Sequence, residues 1–211
     1  MWWLAAAVLV GFLVTFVFSG LLHLPRRWFV LAHLVVTGGF VIAFMRSSGI
    51  TFRGLIAHNW RRGALWTVPF GLFAAMKVFG APPSPHATGW QLAFDILWSG
   101  FLYATLDTLL LSVVPVLAVS RGLAQLGPDR FPRWTLWVGA LTASAIITAA
   151  YHAGFPEYTA LDIAGAVWGN TVLTAGFLLS TSAITPIAAH WIVHVAALIH
   201  GPATTSLLPP H

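Results

Sequence analysis

Residues 183–200 read AITPIAAHWIVHVAALIH, and this stretch decides how the chain is interpreted. It is apolar and close to the roughly 20 residues that a helix needs to cross a bilayer. His190 and His194 stand near its middle, four residues apart, so on a helix both imidazoles project from one face. Ionisable groups at membrane depth are costly and usually face a bundle interior or a cavity. The stretch therefore predicts a transmembrane helix that contributes to a buried polar site.

The composition places the whole chain in a membrane. Of its 211 residues, 58% are hydrophobic and only 7% are charged, too few to cover the surface of a soluble domain of this size. We expect one integral membrane domain over residues 1–211, with membrane lipid as a partner. The chain has no cysteine, which excludes disulfides and cysteine metal ligands and leaves the compartment open. The net charge of +5 comes mostly from short loops, so no nucleic-acid partner is expected.

The lengths of the apolar runs predict an all-α, polytopic transmembrane helix bundle of about seven spans. A signal peptide is the alternative for the first run, but that run has no charged leading region and is too long, so a retained helix is expected. The fourth run is long enough for a tilted helix. The predicted spans are residues 1–22, 28–44, 64–79, 90–119, 134–151, 161–179 and 183–200.

Arginines in two predicted loops set the orientation. Residues 46–62 interleave arginines with apolar residues, a pattern typical of a basic amphipathic segment in the membrane interface. A topological anchor is favoured over specific lipid recognition there. Residues 121–133 form a second basic loop. Placing the N-terminus in the cytoplasm puts seven arginines inside and two outside, as the positive-inside rule requires. We expect a bacterial inner or plasma membrane. The inside residues are Arg46, Arg53, Arg61, Arg62, Arg121, Arg130 and Arg133, against Arg26 and Arg27 outside.

Small and polar residues predict how the spans pack. Gly165, Gly169 and Gly176 in the sixth span are expected to allow close helix contact. Asn170, in the same span, is expected to bond across helices. His33, alone on the second span, is expected to be a hydrogen-bonded core residue.

Four ionisable residues are candidates for a functional site. Asp107 lies deep in the fourth span, His152 at the end of the fifth, and His190 and His194 in the seventh. A carboxylate beside histidines exchanges desolvation cost for charge-assisted hydrogen bonds or a shared cation. We therefore predict that Asp107, His152, His190 and His194 form one cluster inside the membrane.

The last half of the chain, from about Gly100 to Leu198, resembles the CAAX-protease and bacteriocin-processing family, also called CPBP or Abi. Residues 185–194, TPIAAHWIVH, are similar to the family's final motif, a histidine followed four residues later by Asn or another polar residue. Residues 148–152, TAAYH, resemble its Phe-x-x-x-His motif, with Thr148 in place of Phe. Its first motif has two adjacent glutamates and an arginine three residues later, and the counterpart here is DTLLLS at 107–112.

This resemblance implies a membrane-embedded endopeptidase that acts on a peptide or a membrane protein. It gives Asp107 the role of the base that activates water. His152 and His190 would polarise or orient the peptide carbonyl, and His194 takes the Asn position of the final motif. Such an enzyme would be a hydrolase, and either metal-dependent or metal-free.

Other functions remain open. Three histidines and one aspartate also form a plausible ligand set for a divalent metal such as zinc, or for iron or copper, without proteolysis. A haem would need two axial histidines from facing helices, which His33 and one later histidine would supply. A third possibility is a membrane scaffold subunit in which the histidines cement helix packing.

Overall fold

A computed structural model describes residues 2–127, 130–203 and 208–209, and over these residues the chain is helical and contains no strand. The prediction of an all-α fold is confirmed. The helices are α1 (Trp2–Leu21), α2 (Arg26–Ser47), α3 (Phe52–Ala57), α4 (Trp60–Phe79), α5 (Gly89–Leu126), α6 (Arg133–Ala153), α7 (Ala160–Ser180) and α8 (Ile184–His200).

Five helices are long and apolar enough to cross a membrane: α1, α2, α5, α6 and α7. This agrees with an integral membrane protein. Helix α4 is 20 residues long but carries Arg61, Arg62 and Lys77, and α8 is an apolar helix of 17 residues. The predicted count of about seven spans therefore exceeds the five that length and composition establish.

Helix α5 is the longest element, with 38 residues, or about 57 Å at the usual helical rise. Two π-helical segments, Ile96–Tyr103 and Leu109–Val113, interrupt it and flank Asp107. The predicted end of this helix at residue 119 is wrong, because the helix continues to Leu126 through the first part of the predicted 121–133 loop. Residues 128 and 129 of that loop lie outside the described residues.

The predicted interfacial segment at 46–62 is divided among three helices. Arg46 lies in the last turn of α2, and Arg61 and Arg62 lie in the first turn of α4. Only the short α3 lies between them, and Thr51 caps it by accepting a hydrogen bond from the Gly54 backbone N–H at 3.1 Å. The segment is thus a helix end, a short helix and a helix start.

Glycine allows α4 and α8 to pack along each other. A Cβ added to Gly63 would meet Ser182 and Ile184, and one added to Gly71 would meet Ile192. The Thr185 hydroxyl also donates to the Gly63 carbonyl at 3.1 Å. These contacts hold the two helices parallel and bring the His190 face of α8 into the bundle.

The predicted glycine contacts of α7 hold at one position and fail at two. A Cβ on Gly176 would lie 3.1 Å from Thr185 and 3.3 Å from Phe70, so this glycine permits close packing. Gly165 and Gly169 have nothing within 4 Å of a Cβ. The expectation of close contact there is wrong, because both glycines face open space that belongs to a cavity.

A buried polar network joins α5, α6 and α7. Pro115 has no N–H to donate to the Leu111 carbonyl four residues earlier. Instead, the Ser144 hydroxyl and the Asn170 amide donate to that carbonyl at 2.6 and 3.1 Å. Asn170 also accepts from Ser112 at 2.8 Å, so the predicted cross-helix bonding of Asn170 is confirmed.

Candidate functional site

A cavity of about 240 Å³ lies among α4, α5, α6, α7 and α8, and all four predicted site residues line it. Asp107 comes from α5, between the two π segments. His152 comes from the last turn of α6, and His190 and His194 come from α8. Three segments that are distant in the sequence therefore converge on one cavity.

Three of the four residues form a tight group. The Asp107 carboxylate oxygen Oδ2 lies 3.5 Å from Nε2 of His190. One possible ligand atom from each of Asp107, His190 and His194 lies within 4.8 Å of the others. Asp107 and His194 are buried and His190 is partly buried. His152 is not a member of this group and lines the same cavity from the α6 side.

Helix spacing explains the paired histidines. His190 and His194 are one turn apart, and their ring centroids are 4.6 Å apart. The His194 ring packs against Tyr103, with ring centroids 5.4 Å apart, and interacts with the backbone of Ser99. Both of these residues lie on the π segment at Ile96–Tyr103. That segment of α5 thus holds His194 in place.

Buried polar atoms without a partner mark the group as a binding site. Among the described residues, Oδ1 of Asp107, Nδ1 of His190 and Nδ1 of His194 are buried and make no hydrogen bond. A buried unpaired polar atom costs about 1–3 kcal/mol. Three such atoms in one cluster indicate that water, a substrate group or a cation completes the site.

His152 has a fixed orientation. Its Nδ1 lies 2.9 Å from the Thr148 carbonyl, which can only accept, so Nδ1 carries the proton. In the neutral ring, Nε2 is therefore an acceptor. Thr148 is itself held by Asn170, whose amide donates to the Thr148 hydroxyl at 2.7 Å. Thr148 thus links His152 to the network of α7.

Two tyrosines belong to the site, although the sequence did not single them out. The hydroxyls of Tyr103 and Tyr151 are 2.6 Å apart, and both tyrosines lie within electrostatic reach of Asp107. Tyr103 also lines the cavity. The sequence does contain an indication that these tyrosines belong to the site. Tyr103 precedes Asp107 by one helical turn, and Tyr151 adjoins His152.

His33 lies on the other side of these tyrosines. It is fully buried, and its Nδ1 is 3.3 Å from the Thr37 hydroxyl, as expected for a hydrogen-bonded core histidine. Its ring centroid is 4.9 Å from that of Tyr103, which also packs against His194. Tyr103 therefore fills the place that a haem between these two histidines would need.

The residues fit a divalent metal by type and approximately by spacing. Two imidazoles and a carboxylate are one of the three-ligand sets that hold zinc in open sites. Ligand atoms around tetrahedral zinc lie about 3.4 Å apart, given bonds of about 2.1 Å. The 3.5 Å between Asp107 and His190 matches this value, and the outer limit of 4.8 Å requires side-chain shifts of roughly 1 Å.

Comparisons with protein-family models, curated proteins and solved structures gave no match to this chain.

Proposed function

We propose that this protein is a membrane-embedded hydrolase, an intramembrane endopeptidase of the CAAX-protease and bacteriocin-processing type. The observation that supports this most is the Asp107 carboxylate, which faces His190 at 3.5 Å inside a cavity and keeps its second oxygen unpaired. A positioned carboxylate with a free oxygen is suited to take a proton from water. The resemblance at residues 107–112, 148–152 and 185–194 points to the same chemistry.

The reaction follows from the placement of these groups. Asp107 takes a proton from a water molecule, and the resulting hydroxide attacks the peptide carbonyl carbon. The C–O bond forms as the carbonyl oxygen takes on negative charge. Asp107 then returns the proton to the departing amine as the C–N bond breaks. His190 faces the carboxylate with its Nε2 at 3.5 Å and limits the directions in which Asp107 can turn.

Tyr103 is the group best placed to stabilise the oxyanion. One proton lies between the hydroxyls of Tyr103 and Tyr151. The other proton belongs to Tyr151 when that tyrosine donates to its second partner, the Asp107 carboxylate, and to Tyr103 when Tyr151 donates to Tyr103. In the second arrangement the free proton belongs to the tyrosine that lines the cavity. His152 would donate to the oxyanion only in its cationic form, because its Nδ1 proton is engaged by Thr148.

Metal binding is the second candidate function. It is favoured by the grouping of Asp107, His190 and His194 and by their unpaired atoms. The free Nε2 of neutral His152 would supply a fourth donor if its ring approached the group. A divalent ion held there would lower the pKa of a bound water and so supply a hydroxide for hydrolysis.

The proposed enzyme crosses the membrane seven times, with α4 and α8 completing the five longer spans. Hydrogen bonds between helix ends indicate which ends lie on the same side of the bundle. Asn59 donates to Thr181 at 2.7 Å at one end, and Trp98 donates to the Arg27 carbonyl at 3.1 Å at the other. Seven of the ten lysines and arginines lie at the Asn59 end, so we place this end, and the N-terminus, in the cytoplasm of a bacterial cell. The arginines around α3 then lie in the cytoplasmic interface.

Cleavage in liposomes tests the proposal. The protein is reconstituted with a library of fluorogenic transmembrane peptides, and we expect cleavage that Asp107→Asn abolishes. Asp95→Asn is the matched control, because Asp95 pairs with Arg27 at 3.3 Å and does not line the cavity. Tyr103→Phe should lower kcat by about 10²–10³-fold, as expected when an oxyanion donor is removed. Cleavage that survives Asp107→Asn would refute the role of Asp107 as the base.

Metal analysis separates the candidates. Stoichiometric zinc or another divalent metal that falls away in His190→Ala would support the metal site. A metal-free protein that cleaves peptides would restrict the site to aspartate chemistry. A protein that neither binds metal nor cleaves, and that keeps its stability when Asp107 and His190 are changed, would favour the scaffold.

A further inference from the structure

The cavity reaches the lateral surface of the bundle between α4 and α7. These helices touch where a Cβ on Gly176 would lie 3.3 Å from Phe70. Beyond that contact, Gly165 and Gly169 have no atom within 4 Å of a Cβ and line the cavity. Two large apolar side chains also line it, Phe73 on α4 and Trp168 on α7, and they are 46% and 57% exposed. The gap is therefore open and has apolar edges.

The gap lies at the depth of the lipid chains. Phe73 is six residues before the end of α4 and Trp168 is eight residues after the start of α7, about 9 and 12 Å along the helix axes. In the seven-span arrangement proposed above, on which this step rests, those helix ends lie near the membrane boundary, so both side chains face hydrocarbon in a core about 30 Å thick. A molecule that enters here comes from the bilayer rather than from water.

A cation lies on the cavity wall beyond the apolar edges. Lys77 lines the cavity one helical turn after Phe73, and among the described residues it has no ion-pair partner. The acids at this end of the bundle are engaged: Asp95 pairs with Arg27 at 3.3 Å, Asp162 belongs to the capping box of α7, and Glu157 also has a partner. Lys77 is thus available for an anionic group at the membrane surface.

We infer that the gap between α4 and α7 admits an anionic lipid from the bilayer, with an acyl chain between Phe73 and Trp168 and the headgroup at Lys77. A cavity of about 240 Å³ is slightly smaller than the usual range of about 300–1,000 Å³ for small-molecule pockets. It therefore holds part of a chain, and the remainder stays in the gap. Binding of this lipid does not depend on hydrolysis at Asp107.

Photolabelling tests the inference. The full chain is reconstituted in phosphatidylcholine vesicles that contain phosphatidylglycerol or phosphatidylcholine with the same diazirine-bearing acyl chain. We expect labelled peptides from α4 and α7, and more labelling by phosphatidylglycerol. Gly169→Leu and Gly165→Leu should each reduce this labelling, because the new side chain fills the gap. Gly39→Leu is the control, since Gly39 also has nothing within 4 Å of a Cβ but does not line the cavity.

Substitutions of Lys77 test separately whether its charge selects an anionic lipid. Lys77→Gln should lower the ratio of phosphatidylglycerol to phosphatidylcholine labelling by about two- to fivefold, the range for an ion pair at a partly exposed site, and Lys77→Arg should preserve it. Equal labelling by the two lipids, or labelling that both leucine variants leave unchanged, would overturn the inference. Suppression of labelling by a transmembrane peptide but not by excess phosphatidylglycerol would also overturn it, and would assign the gap to peptide entry. The assay measures lipid binding and not cleavage, so its failure would leave the proposed hydrolysis at Asp107 untouched.

Discussion

Replacing Asn170 by leucine, which has a similar size, should cost about 2 kcal/mol of stability. Asn170 accepts from Ser112 and has three acceptors within reach of its amide: the Leu111 carbonyl and the hydroxyls of Ser144 and Thr148, at 3.1, 2.8 and 2.7 Å. Because an amide has two hydrogens, about three hydrogen bonds operate at once. Cross-helix hydrogen bonds in membranes average about 0.6 kcal/mol each, so the sum is about 1.8 kcal/mol.

The assay is unfolding by sodium dodecyl sulfate in mixed micelles, followed by circular dichroism. A loss of about 2 kcal/mol lowers the folding equilibrium constant roughly thirtyfold. Thr171→Val is the matched control, because the Thr171 hydroxyl bonds only to the Val167 carbonyl of its own helix, at 2.7 Å. We expect this control to lose less than about 0.5 kcal/mol. Equal losses in Asn170→Leu and Thr171→Val would refute the view that this network joins α5, α6 and α7.

Two further predictions concern packing and orientation. Gly154→Ala should destabilise the protein by about 1–3 kcal/mol in the same assay, since a Cβ there collides with the Thr15 hydroxyl and with α1 backbone. Gly39→Ala should be nearly neutral, and equal losses in the two variants would contradict the close approach of α1 and α6. Because the chain has no cysteine, Trp2→Cys and Trp90→Cys each introduce a unique thiol. A membrane-impermeant maleimide applied outside cells should label only the second, and labelling of the first alone would reverse the proposed orientation.

The positions of the five long apolar helices could be predicted because the thickness of a bilayer fixes the length of an apolar run. The end of α5 could not be predicted, because a helix is free to continue beyond the membrane. The charged Arg121 ends the apolar run, so residues 121–126 were assigned to a loop although they are helical. The glycines of α7 were ambiguous for a different reason. Gly176 permits helix contact, while Gly165 and Gly169 leave space. Glycine serves both purposes, so the residue type alone does not distinguish them.

The members of the site were predictable, whereas its geometry was not. Asp107, His190 and His194 stand out in the sequence because ionisable residues are costly in apolar helices. Their separation depends on the two π segments of α5, whose hydrogen-bond pattern depends on partners such as Ser144 and Asn170 from other helices. Tyr103 was overlooked because a tyrosine in a membrane helix is unremarkable until its partners are known.

The π segments around Asp107 have a consequence for how this chain can vary. A residue in an α-helix turns the chain by about 100°. A π turn holds one residue more than an α turn, so deleting one residue from Leu109–Val113 would convert the segment to a regular helix and leave Asp107 close to its present orientation. Deleting a residue from a regular part of α5 would instead rotate one side of the helix by about that angle relative to the other. We therefore expect relatives of this chain to tolerate a change of one residue in length at 109–113 better than one in a regular part of α5.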